Sequence, residues 1–206
     1  MRLSFYIILI VLTGACRKEL GDPRKPQLPE HEEIVTTFLI SFSDSASGTS
    51  VDYFFRDPDG HEGPEEGYFG SSDTAGLRSE ITLNKESTYD CRIFLLNESE
   101  VPADTVSNSV LEESETHMLF FDTGKSRVIN SAPHTVANDD LSLVITYLDT
   151  DKNGLPLGLY TRWRTGRVPH AGSPLKIILK HQDENKDGSF APGETELEVA
   201  FTLTVE

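Results

Sequence analysis

The sequence predicts an all-β domain: a single antiparallel β-sandwich of Ig-like or jelly-roll-like type, with about nine to ten strands and one short helix. Two observations carry this. From Glu33 onward, short runs of Val, Ile, Phe, Tyr and Thr recur with near-alternation of apolar and polar residues. Gly, Asp, Asn, Ser or Pro bounds every run, at the regular spacing of strands joined by turns.

In chain order the expected strands are Ile34–Phe42, Val51–Phe55, Leu77–Leu83, Tyr89–Leu96 and His117–Phe121, then Arg127–Asn130, Leu141–Leu148, Gly158–Trp163, Leu175–His181 and Glu196–Val205. The last shows the logic best. Leu197, Val199, Phe201 and Leu203 share one face, while Glu196, Glu198, Ala200, Thr202 and Thr204 share the other. The helix is expected at about Ala103–Leu111, after Pro102, with Val106 and Val110 four apart to meet the sheet. Trp163, inside a Tyr-Thr-Arg-Trp-Arg alternation, reads as a packing residue. A domain spanning 33–206 is long enough to bury about 70% of its unfolded surface.

What precedes the domain reads as an address. Residues 1–15 have a charged start, an apolar run from Leu3 to Leu12 and a small-residue exit, which is the pattern of a signal peptide. The run is about half of the ~20 residues a spanning helix needs. Leu12-Thr-Gly-Ala-Cys16 resembles a bacterial lipobox, with Thr13 where Leu is usual, so Cys16 is the expected lipidation site. Residues 16–32, charged and Pro-bearing, read as the lipidated cysteine and a flexible tether. Stable anchoring takes about two acyl chains at ~0.8 kcal/mol per buried methylene. The expected location is therefore a membrane of the cell envelope, held by lipid.

Charge and cysteine usage narrow the partners. The formal charge is −16, and removing residues 1–15 deletes only Arg2, giving −17. Such a surface repels nucleic acid and anionic headgroups and favours cations or basic partners. With Cys16 committed to lipid, Cys91 has no partner for an intramolecular disulfide. Lying inside a strand run, it reads as a buried, inert thiol.

Asp183-Glu-Asn-Lys-Asp-Gly-Ser-Phe-Ala-Pro-Gly-Glu194 spells a calcium loop in the EF-hand order. Asp183, Asn185, Asp187 and Glu194 stand where side-chain oxygens are needed, Ser189 would add its backbone carbonyl, and Gly188 permits the sharp bend. Phe190 would anchor the loop to the core. Strands rather than helices flank it, so an EF-hand sensor is rejected, and a cation loop between strands remains. Asp149, Asp151 and Asn153 form a weaker second copy, with Tyr160 where the closing carboxylate should be. A third acidic turn runs from Asp57 to Glu62. Turn chemistry alone also selects Asp, Asn and Gly in all three. Alternating strand directions place the loops after Leu148 and after His181 at the same end of the sandwich.

No two of the six histidines have the sequence spacing of a zinc or iron site. A cross-strand site built from His117 and His181 is the arrangement that would change this. Enzyme signatures are missing: no G-x-S-x-G elbow, no H-E-x-x-H and no phosphate-cradling Gly loop.

The order of several segments resembles a lipoprotein family of Bacteroidota-type bacteria, of unknown function, whose members are often labelled "type 1 periplasmic binding fold" proteins. These segments are Pro29–Thr37, Phe55–Gly60, Leu95–Glu98 followed by Pro102-Ala103, Tyr147–Asp151 and Leu179–Gln182. The fold named in that label is a longer chain of alternating strands and helices, which this strand pattern does not follow. The resemblance makes the outer membrane the expected location and implies association with a TonB-dependent outer-membrane receptor. Function is expected to be a non-catalytic binding or accessory module, calcium-stabilised. The alternatives are a zinc- or iron-capture lipoprotein using histidines and an envelope glycan-acting enzyme.

Overall fold

A computed structural model describes residues 34–58, 67–72, 79–125, 127–129 and 134–206. The signal peptide, Cys16, the tether, the acidic turn beyond Pro58, Leu77 and Asn130 lie outside the described residues. Twelve strands form among them: β1 Thr37–Asp44, β2 Ser50–Arg56, β3 Tyr68–Ser71, β4 Glu80–Leu83, β5 Thr88–Leu96, β6 His117–Asp122, β7 Arg127–Ile129, β8 Thr135–Asn138, β9 Leu143–Tyr147, β10 Tyr160–Thr165, β11 His170–His181 and β12 Glu194–Val205. A short helix α1 covers Val106–Glu112.

Two sheets result, in the orders β3-β2-β1-β5-β10-β9-β8-β7 and β4-β12-β11-β6. The architecture is the expected all-β sandwich. Every pairing is antiparallel except that of β4 with β12, which is parallel and departs from the purely antiparallel expectation. Two strands not anticipated, β3 and β8, are four residues each. They are too short to show a period on their own and form because a longer neighbour offers its free edge.

Alternation explains the packing. Phe38, Ile40 and Phe42 of β1, Tyr89, Cys91, Ile93 and Leu95 of β5, and Val199, Phe201, Leu203 and Val205 of β12 all turn inward and are buried. Aromatic rings stitch the sheets together: Trp163 meets Phe42 edge-on at 5.2 Å and Phe121 of the opposite sheet at 5.6 Å. Full burial of each large apolar side chain contributes about 1.5–3 kcal/mol. Trp163 is thus a core residue, its Nε1–H donating to Thr161 Oγ1 at 2.9 Å.

Helix α1 starts three residues later than expected and buries Val106, Ser107 and Val110. Ser107 Oγ accepts from the Leu95 amide at 2.6 Å, satisfying a β5 donor that lies past the end of β10. A seam closes the sheets where Leu119 N–H donates to the Leu157 carbonyl at 2.7 Å. Gly158 next to it has φ +100°, and an added Cβ would fall 2.8 Å from Leu119 Cβ.

Candidate metal centre

Strands β6 and β11 run antiparallel in a register that makes His117 and His181 direct partners. Their side chains therefore leave the sheet on one face, the face that carries Leu119 and Leu179 into the core. The imidazoles stack, with centroids 4.7 Å apart and planes 14° from parallel. His117 is buried, and His181 at the strand end is 29% exposed.

A carboxylate reaches this pair from the third strand. Between β11 and β12 the register steps from Leu179↔Leu197 to Lys180↔Thr195, leaving Glu196 as the extra residue of a β-bulge. Regular alternation would put Glu196 on the face opposite Leu197, as the sequence pattern expects. The bulge turns it inward instead. Its Oε2 lies 3.3 Å from His117 Nε2, and its Oε1 lies 3.9 Å from His181 Nδ1.

Hydrogen bonding sets the proton positions. His117 Nδ1 is 3.2 Å from the Glu113 carbonyl, which only accepts, so Nδ1 carries the proton and donates. In the neutral ring Nε2 is then an acceptor facing a carboxylate oxygen. Two acceptors at 3.3 Å are stable only with a cation between them, a proton or a metal ion. Zinc bonds of ~2.0–2.1 Å to nitrogen and oxygen place tetrahedral ligand atoms roughly 3.3–3.4 Å apart, so that separation matches one edge of the tetrahedron. Each ring's lone pair lies in its own plane, so an ion shared by two stacked rings requires the more exposed His181 to turn. Asp183 Oδ1 stands 3.7 Å from His181 Nε2. The Glu113 carbonyl behind His117 is the kind of support that orients a metal-binding imidazole, whereas Asp183 stands beyond hydrogen-bond reach of His181.

Among the described residues, Glu113, His117 and His181 form the one group of three or more His, Cys, Asp or Glu side chains with ligand atoms within 4.8 Å of one another. Glu113 approaches His117 from the Nδ1 side, at 4.0 Å and largely exposed. Glu196 is not a member of that group, so its closer 3.3 Å approach to His117 Nε2 makes a two-ligand edge that His181 completes only by turning.

The structure does not bring the expected calcium ligands into one group. Asp183 has turned to His181. Asn185 is exposed and its amide donates back to the Gln182 carbonyl at 2.9 Å. Asp187 Oδ1 accepts from the Ser189 amide at 2.8 Å, and the Ser189 side chain together with that amide holds its carboxyl below the usual range. Ser189's carbonyl accepts from Gln182 Nε2 at 2.8 Å. Glu194 is exposed on β12 opposite His181. Phe190 is half-exposed and packs edge-on against Phe120 at 5.2 Å, on the outer side of the small sheet rather than in the core.

The weaker copy is occupied by its own chain. Asp149 accepts from the Gly158 and Tyr160 amides, both at 2.8 Å, and burial still pushes its carboxyl up. Asp151 Oδ1 takes the Asn153 and Leu155 amides at 2.8 and 2.9 Å, and Lys186 Nζ sits 3.1 Å from Oδ2. Burial opposes the charge on Asp151, yet the Leu155 amide and Lys186 bring its carboxyl below the ordinary value. Asn153 points its amide nitrogen at Glu115 Oε1, 3.2 Å away. Since Lys186 belongs to the loop after His181, the two acidic loops do share one end of the sandwich.

Compared with known proteins, the chain matches no family model, no curated protein and no solved structure. Among the described residues no helix is long and apolar enough to cross a membrane. His117 and His181 were visible in the sequence as strand-edge residues. Glu196 was not, because a bulge has no signature in an alternating run.

Proposed function

We propose that this domain is a non-catalytic binding module whose ligand is a transition-metal ion of the zinc type. His117 Nε2, His181 Nδ1 and the Glu196 carboxylate bind it directly. The Glu113 carbonyl orients the His117 ring. The approach of His117 Nε2 to Glu196 Oε2 carries this reading, since it sets two ligand-type acceptors one tetrahedral edge apart, with the His117 ring buried. Two imidazoles and one carboxylate suit Zn(II), Co(II) or Fe(II) better than calcium, which takes six to eight oxygens. Three protein ligands leave a coordination position open, as a site that accepts and releases its ion needs.

The apolar leader and Cys16 support a lipid-anchored module on the envelope side of a membrane, presenting the ion to a receptor. Titration of the domain with Zn(II) and Co(II) tests the metal reading. One ion per chain, lost in H117A and in H181A, is expected. Uptake unchanged in both variants overturns it.

A further inference from the structure

We infer that Lys186 is the positioning residue of the histidine centre, an internal ammonium that locks the loop after β11 onto the turn carrying His117. The inference rests on the metal reading above. Lys186 Nζ is buried, with its side chain 2% exposed and that of Asp151 fully covered. It donates to the Ser114 carbonyl at 2.7 Å. Ser114 is next to Glu113, whose carbonyl orients His117. A second fastening lies close by, where the Gln182 amide donates to the Thr116 carbonyl at 2.6 Å. Gln182 is itself buried, and its Nε2 holds both Ser189 and Pro192 carbonyls. On the far side, Glu115 receives Lys152 and Asn153 of the loop containing Asp151.

Three segments, 113–117, 149–155 and 182–193, therefore converge on one ammonium. It is a cation of this acidic end, covalently attached and buried. Desolvation disfavours its charge, so it stays in place only while Asp151 and Ser114 both engage it. Releasing it frees the Glu113–Thr116 turn and, with it, the carbonyl that holds the His117 ring. Supports of this kind change metal affinity about 10–100-fold when removed.

The test compares Co(II) affinity and the Co(II) visible spectrum in wild type, K186M, D151N and I81V. D151N keeps an oxygen for the Asn153 and Leu155 amides and weakens only the grip on Lys186, so it decides the matter if K186M does not fold. I81V trims the core at the opposite end of β12 and controls for general destabilisation. About 10–100-fold weaker binding with an altered spectrum in the lock variants, and neither change in I81V, is expected. Wild-type protein that takes up no Co(II) removes the metal reading itself, and this inference with it. Wild-type uptake matched by both lock variants overturns the role of Lys186 alone.

Discussion

The rings of His117 and His181 face each other across one β-ladder at 4.7 Å, with Glu196 at 3.3 Å from the first and 3.9 Å from the second. With His181 turned towards Glu196, a single dication would bind both rings together with the carboxylate.

Metal should therefore stabilise the fold. An ion bound only by the native state at 100 times its Kd adds about 2.7 kcal/mol. Thermal melts with Zn(II) should shift upward and return with chelator, while E196Q should weaken the shift. Calcium at millimolar concentration should leave the midpoint in place. A calcium-induced rise would instead support Asp183–Glu194 as an ion loop.

Acid stability should depend on Asp151. Its folded pKa is below the ordinary 3.8, so its contribution is complete above that value and is lost as pH falls through the folded pKa. Asp149 has the opposite sign: its raised carboxyl favours the folded state increasingly as pH falls from its folded value towards 3.8. Urea melts between pH 3 and 6 should show a flatter acid limb for D151N and a steeper one for D149N.

Core truncation at the sheet-to-sheet contact should be costly. Trp163→Ala removes the ring shared by Phe42 and Phe121 and should lower stability by about 3–5 kcal/mol, read from denaturant unfolding.

Gly193 admits no side chain. With φ +81°, a Cβ there would lie 2.0 Å from the His181 carbonyl oxygen. Gly193→Ala should cost more than the ~1 kcal/mol of an ordinary left-handed glycine and should also weaken metal binding, because the backbone it displaces belongs to His181. Unaltered melting and titration would contradict this.

Cys91 is buried beside Thr161, and desolvation pushes its thiol well up. Alkylation of the native domain should be slow, and at a fixed pH its rate should scale with the fraction unfolded.

Much of the framework was legible because burial writes a period into the chain. From Leu197 onward β12 alternates so regularly that its inward residues could be named from sequence. The four-residue strands β3 and β8 were not legible, since their existence depends on a neighbour's edge. The acidic loops were found, but composition does not tell a loop built for an external cation from one whose own Lys186 reaches a buried Asp151. Pairing of His117 with His181 depends on register between segments about sixty residues apart, and no local pattern encodes it.

The inward turn of Glu196 has a consequence for how this domain could vary. A carboxylate aimed by one surplus residue is controlled by strand length as much as by side-chain identity. Shortening β12 by one position before Leu197 would regularise its hydrogen bonding, keep the apolar alternation of Val199, Phe201 and Leu203, and swing the acid out to solvent. A chain of nearly unchanged composition would then keep its architecture and lose the carboxylate of the proposed metal site.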